Sequence, residues 1–233
     1  MFNLPEKIEN KRYYSWGNEK FPSVTTILDL AYQKEWMRAW MAKKMAEEGA
    51  GLSEDDYLEA VDRPKRHAGS HGDDIHGQLH LLGQGKPISF GPLNEWNEKY
   101  RPEFIYTESQ IVNKTVGYAG TLDMIAVIGG ITYLIDLKTG MFLDSSVKLQ
   151  LSAYRNAELI RGGDDILEYE VEMEPVDRCA ILWVPRNSPE EWTFREISVG
   201  NREWRAFLSC VDVANYHIAN SNIGVLGKEV SHA

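Results

Sequence analysis

The order of elements legible in the sequence predicts an α+β protein: a mixed central sheet flanked by helices, with an N-terminal helical region. Helical spacing of apolar residues dominates the first hundred positions. Three strand-like stretches then follow one another between about 103 and 137, with Gly129-Gly130 as the turn between the last two. A helix, two strands and a final helix complete the pattern, which segregates strands and helices as α+β folds do. With 233 residues, 43% apolar and 26% charged, the chain can bury one substantial core. It therefore reads as a single domain over 1–233: mainly helical over 1–102, a sheet core over 103–219, and a frayed tail over 220–233.

Each element has a local cause. Residues 11–22 read as a strand pair ending at Pro22, and Ser23 is an N-cap for the amphipathic stretch SVTTILDLAYQ. A second helix, Lys34 to Glu48, carries Trp36, Met37, Trp40, Met41 and Met45 at helical spacing and stops at Gly49 and Gly51. Ser53 with Asp56 forms a capping box for a short third helix. The next runs from about Pro64 to Leu82 and closes at Gly83 and Gly85, and a shorter one covers Pro92–Tyr100. The sheet starts with EFIYTESQIV, continues through Val116–Val127 and returns through Ile131–Leu137. The helix SSVKLQLSAYRNAELIRGG follows, with Gly162-Gly163 as its expected cap. Strands near Arg178–Val184 and Trp192–Ile197 precede a helix from about Asn201 to Ala219.

Composition narrows the function classes. No run of eighteen apolar residues occurs, so no membrane span is expected. The opening MFNLPEKIENKRYY carries charge where a signal peptide is apolar. Two isolated thiols, Cys179 and Cys210, are too few for a disulfide framework or a four-cysteine iron–sulfur cluster, and a reducing, cytoplasmic setting fits. Net charge is −10, from 25 basic against 35 acidic residues. That balance argues against a general nucleic-acid-coating surface but leaves room for a local basic groove.

The chemistry concentrates in GYAGTLDMIAVIGGITYLIDLKTG. Asp136 and Lys138 are two apart, hence on one face of a strand, with Ile135 and Leu137 on the other. Asp123 lies on the preceding strand, in step with Thr121 and Ile125, so the carboxylates of Asp123 and Asp136 are expected to converge. A lysine between carboxylates on a largely apolar strand is a poor choice for stability alone. Hard divalent ions such as Mg²⁺ take one or two carboxylates, with water and phosphate completing the shell. The pattern therefore points to metal-dependent phosphodiester hydrolysis, with Lys138 orienting water or stabilising charge rather than abstracting a proton, because neighbouring anions favour its charged form. The alternative is an Asp/Lys ladder ending an exposed strand. Gln150 and Tyr154 share a helix face, and Gln150 can reach a phosphate while Tyr154 supports a nucleotide or the lysine. His76, on the helix striped by Ile75, Leu79 and Leu82, can ligate a metal from the opposite side. His76 and His80 also mimic a zinc-binding helix, without the glutamate of H-E-x-x-H.

In order, HGDDIH with IHGQL, GYAGTLD, LIDLKTG and QLSAY resemble the RecB-type branch of the PD-(D/E)XK nuclease superfamily, phage and mitochondrial genome-maintenance exonucleases in particular. The resemblance spans roughly residues 12–160 and includes RYYSW and FPSVTTIL. It implies an α/β/α restriction-endonuclease-like core and a Mg²⁺- or Mn²⁺-dependent DNA exonuclease of recombination, repair or replication, holding one or two ions. His76, Asp123, Asp136 and the Leu137 carbonyl would hold the metal, with Glu108 at an acidic position seen in relatives. Lys138 would be the catalytic lysine, with Gln150 and Tyr154 beside it. His80 stands where a glutamate is usual, and His71 replaces an arginine. DNA is the implied partner, with a phage or host recombination or replication protein as a further one. Lys43, Lys44, Arg63, Lys65, Arg66 and Tyr154 are the expected DNA contacts, with Tyr32, Trp36 and Trp40 as stacking residues or, alternatively, helix core. A structure-specific endonuclease and a non-cutting nuclease-like module are the competing readings.

Overall fold

A computed structural model of the protein describes residues 6–8, 11–32, 74–163 and 168–220. The chain opens as a small antiparallel sheet of β1 (Glu6–Ile8), β2 (Lys11–Trp16) and β3 (Glu19–Pro22). The expected strand pair over 11–22 is β2 and β3, and β1 is a third strand that the sequence reading lacked. Ser23 then caps α1 (Val24–Ala31), its hydroxyl accepting the Thr26 N–H at 2.9 Å, and the helix buries Val24, Ile27 and Leu28 on one face. The helices expected over 34–48 and from Ser53 lie outside the described residues. Of the one expected over 64–82, the described part is helical, as α2 (residues 74–83). α3 (Gly91–Tyr100) begins with a proline in its first turn and ends on Arg101 in the left-handed conformation, whose N–H bonds the Asn97 carbonyl.

Seven strands form the main sheet: β4 (Glu103–Asn113), β5 (Tyr118–Ile128), β6 (Ile131–Lys138), β7 (Leu159–Gly163), β8 (Glu168–Glu172), β9 (Arg178–Trp183) and β10 (Thr193–Ile197). Their order is β10-β9-β6-β5-β4-β7-β8, antiparallel except between β6 and β9. Gly129 and Gly130, at φ +60° and +80°, make the tight turn that reverses β5 into β6. With α4 (Ser146–Arg155) and α5 (Asn201–Asn220) the described residues hold five helices. The fold is α+β with a mixed sheet, as expected.

Three apolar clusters show how the layers stack. Val24, Ile27, Leu122, Ile125, Leu134, Leu151 and Phe207 join α1, α4 and α5 to one face of the sheet. Ile75, Leu79, Leu93, Trp96, Met124, Ile135 and Leu182 join α2 and α3 to the other. At the far end of that second face the small sheet takes over, packing Tyr14, Trp16 and Phe21 on Val112 and Ala119. Among the described residues no helix is long and apolar enough to cross a membrane.

The helix expected to run to Gly162-Gly163 stops at Arg155 instead. Glu158 N–H bonds the Val112 carbonyl, and Leu159–Gly163 then pairs with β4 as β7. The open edge of β4 offers backbone hydrogen bonds that outweigh the helical tendency of this segment, and the two glycines lie in a strand rather than a cap. β8, also missing from the sequence reading, pairs antiparallel with β7.

Arg161 on β7 fastens the two sheets together. Its guanidinium lies 3.4 Å from the centre of the Trp16 ring, donates to the Ser15 carbonyl at 3.1 Å and pairs with Glu170 at 3.1 Å. A lysine has neither the planar face nor the fork to make these contacts at once. Arg161→Lys is expected to lower stability by about 2 kcal/mol, read as a drop of roughly 4–8 °C in Tm for a chain of this size. An unchanged melting curve would mean the clamp contributes nothing.

Candidate active site

The site forms where the main sheet changes its facing. In the lower half of β5 the even-numbered residues face α4: the Tyr118 hydroxyl donates to the Ala153 carbonyl, and Gly120 lies against Tyr154. The odd residues there, Ala119 and Thr121, face the small sheet, and Thr121 shares a hydrogen bond with the Tyr14 hydroxyl at 2.9 Å. Beyond Asp123 the alternation is reversed, with Ile125 in the α4 layer and Met124 and Ala126 under α2 and α3. The expectation that Asp123 is in step with both Thr121 and Ile125 is therefore corrected, because those two residues face opposite layers.

The partner strand shows the cause. β4 pairs Ser109 with Leu122 and Thr107 with Met124, so Glu108 lies opposite Asp123. Glu108 has φ +49°, left-handed backbone inside a strand. This conformation costs a non-glycine residue about 1–2 kcal/mol, and such strain collects at functional sites. It turns the Glu108 carboxylate towards α2, where Oε1 lies 2.9 Å from His76 Nδ1. Asp123 Oδ1 is 3.3 Å from the same nitrogen. His76, Glu108 and Asp123 each present a ligand atom within 4.8 Å of the others, a group that could hold a metal ion.

α2 is held over this pair through one face. His80, one turn beyond His76, bonds Thr107 Oγ1 at 3.1 Å, and Thr107 also packs on Gly83. His80 thereby serves docking and takes no part in the His76 cluster, so the zinc-helix pairing of the two histidines is not formed.

On the other side of Asp123, β5 and β6 part. Their ladder ends at Met124–Ile135 while β6 continues alongside β9, and the Leu137 N–H donates to Asp123 Oδ2 at 2.5 Å. Asp136 and Lys138 share the α4 face of β6. Lys138 Nζ meets Asp136 Oδ2 at 2.7 Å and donates to Gln150 Oε1 at 3.1 Å. Gln150 Nε2 in turn donates to the Tyr154 hydroxyl at 3.1 Å. The sequence-flagged residues thus form two adjoining groups: His76–Glu108–Asp123, and Asp136–Lys138–Gln150–Tyr154. Leu137, flagged for its carbonyl, links them through its N–H.

Buried charge concentrates at the site. Asp136 is buried, and apart from the Lys138 ion pair neither oxygen accepts a hydrogen bond from the described residues. Burial lifts the Asp136 carboxyl to about 6 in spite of Lys138, with the Asp123 charge adding to the rise. Burial likewise raises Asp123, although His76 and Lys138 oppose it. For His76, burial disfavours the charged ring, but Asp123 and then Glu108 outweigh it and raise the imidazole to about 9. Burial also works against the Lys138 charge, yet Asp136 and Asp123 hold its ammonium above the ordinary lysine range. With His76 neutral, as a ligand must be, three carboxylates face one ammonium, and the residues present fit a divalent ion.

The expected DNA contacts Lys43, Lys44, Arg63, Lys65 and Arg66, with Trp36 and Trp40, lie outside the described residues. Tyr154 is buried. Its burial corrects the expectation of a DNA contact: the ring supports Gln150 from within. Sequence reasoning missed Thr107, the Tyr14–Thr121 bond and the backbone turn at Glu108, none of which has a local signal.

No protein-family profile matches the chain, and no curated protein aligns with it significantly. Among solved structures, the crystal structure of SSO0001 aligns at 17% identity and a TM-score of 0.35, over 82% of this chain and 89% of that one.

Two substitutions test this geometry. A side chain on Gly120 would put its Cβ 2.8 Å from Tyr154 Cε1, so Gly120→Ala is expected to displace Tyr154, release Gln150 from Lys138, and show as changed tyrosine fluorescence or NMR shifts. Glu108→Gly is expected to be more stable than Glu108→Ala by about 1 kcal/mol, because glycine alone accepts the positive φ without strain. Equal denaturation midpoints for the two would remove the strain argument.

Proposed function

We propose that the protein is a Mg²⁺- or Mn²⁺-dependent deoxyribonuclease that hydrolyses phosphodiester bonds in DNA, acting as an exonuclease in recombination, repair or replication. The observation that carries this reading is Lys138, held charged between buried Asp136 and Gln150 one residue from the N–H that binds Asp123. Such a lysine beside a cation-fitting carboxylate cluster suits a reaction whose transition state gathers negative charge on phosphate oxygens.

His76, Glu108 and Asp123 would hold the ion, with Asp136 next to them. Mixed imidazole and carboxylate donors favour Mn²⁺ somewhat over Mg²⁺. When bound, such an ion supplies charge neutralisation at the phosphate and lowers the pKa of water. The chain's own residues do the rest. Lys138 donates to the phosphate or to the attacking water, and its raised affinity for a proton makes it a donor rather than a base. Asp136 and Gln150 fix the direction of that ammonium. Tyr154 fixes Gln150 in turn and is fixed by its packing on Gly120. We place the enzyme in a reducing, cytoplasmic compartment, in keeping with the free and buried thiols of Cys179 and Cys210. Its partner is DNA, with a recombination or replication protein alongside.

Digestion of end-labelled single- and double-stranded DNA with Mg²⁺ or Mn²⁺ is the test, with circular single strands separating exonuclease from endonuclease. Lys138→Ala is expected to lose at least about a hundredfold in cleavage, the usual cost of one transition-state donor, while keeping its circular dichroism spectrum and its Mn²⁺ binding by calorimetry. Asp123→Ala is expected to lose that Mn²⁺ binding. Wild-type cleavage by Lys138→Ala would overturn the mechanism.

A further inference from the structure

Immediately after the catalytic strand, Met141, Phe142 and Leu143 are 45%, 72% and 40% exposed. Three consecutive apolar side chains on the surface of a chain with net charge −10 call for a reason. The loop bearing them is tied down at both ends. Trp183 Nε1 donates to the Gly140 carbonyl at 2.8 Å, and Asp144 Oδ1 accepts the Ser146 N–H at 2.7 Å. Next to that second tie, Ser145 Oγ shares a hydrogen bond with the Tyr32 hydroxyl. The loop is thus held to neighbouring elements near both ends while its three apolar side chains are exposed.

Their position fits one occupant. Phe142 is four residues beyond Lys138, so the two lie within about 14 Å along the chain. At the ~3.4 Å spacing of stacked nucleotides this is within a few bases of a phosphate at Lys138. The three side chains carry no charge and no donor, so they offer a phosphate nothing of what Lys, Arg and polar side chains offer it. Aromatic and apolar side chains instead take the flat faces of bases, which a single strand presents along its length and a duplex only at its terminal pair.

We propose that Met141, Phe142 and Leu143 form a base-stacking lip that grips unpaired nucleobases of a DNA strand entering the site, making single-stranded DNA the preferred substrate. The inference rests on the nuclease reading for its substrate, and it also supplies the grip that a net acidic protein does not obtain from its overall charge. Phe142 carries most of this grip, being the most exposed of the three and the one with a ring.

The test is binding, measured apart from cleavage. Fluorescence anisotropy of a labelled oligothymidylate in EDTA is expected to show about tenfold or more weaker binding by Phe142→Ala, the loss of one stacked base, with Phe142→Trp restoring it. An oligomer of abasic sites is expected to bind wild-type protein as weakly as the thymidylate binds Phe142→Ala. Unchanged circular dichroism and Mn²⁺ binding in Phe142→Ala show that fold and metal site persist. Equal affinities of wild type and Phe142→Ala, or of abasic and natural strands, would overturn the lip. So would sedimentation showing a dimer that Phe142→Ala dissolves, since a second copy would then cover the patch. Normal DNA binding by a wild-type protein that cuts nothing with either metal would sink the nuclease reading and leave the lip standing.

Discussion

The reversal of facing at the Glu108–Asp123 pair organises the molecule. A strand alternates its side chains between two faces, so a continuous β5 would commit Asp123 to a single layer. The left-handed backbone of Glu108 breaks the alternation on β4, and β5 follows it across the ladder. As a result the face opposite α4 can be covered by two different bodies, the small sheet at one end and α2 with α3 at the other. The seam between them is where one carboxylate can reach both a histidine on α2 and a backbone N–H on β6.

Strain and charge concentrate at the same place. Glu108 holds an unfavourable φ, Asp136 is buried with an oxygen that accepts no hydrogen bond from the described residues, and Asp123 is buried among charged neighbours. None of these features helps the fold by itself, because desolvating a carboxylate costs more than a surface ion pair returns. They become intelligible together, as an anionic pocket with one fixed ammonium at its edge. The surrounding packing supplies the rigidity. Gly120 admits the Tyr154 ring, Tyr154 holds Gln150, and Gln150 holds Lys138, so a residue from the sheet core sets the aim of a charged group at the surface. The exposed Met141, Phe142 and Leu143 follow within a few residues of the strand's end at Lys138.

Much of this was legible in the chain. The spacing of Asp136 and Lys138 set them on one face, Gly129-Gly130 marked the turn, and Ser23 marked a helix start, since each depends on neighbours within a few residues. Gln150 and Tyr154 were readable as one helix face for the same reason. The segment after Arg155 was misread, because its composition suits a helix and the open β4 edge that captures it lies more than forty residues earlier. Glu108 was visible as an acidic strand residue, whereas its backbone conformation was not.

By itself the sequence determined the type of most of the described segments, where most of them turn, and which polar side chains share a face, because hydrophobic period and turn chemistry are local. Only the tertiary structure decided that the sheet changes facing at Asp123, that α2 lays His76 on Glu108, and that Asp136 turns to Lys138. Those outcomes depend on which strands pair and where they part. Such pairings join residues tens of positions apart, and no short window of sequence encodes them.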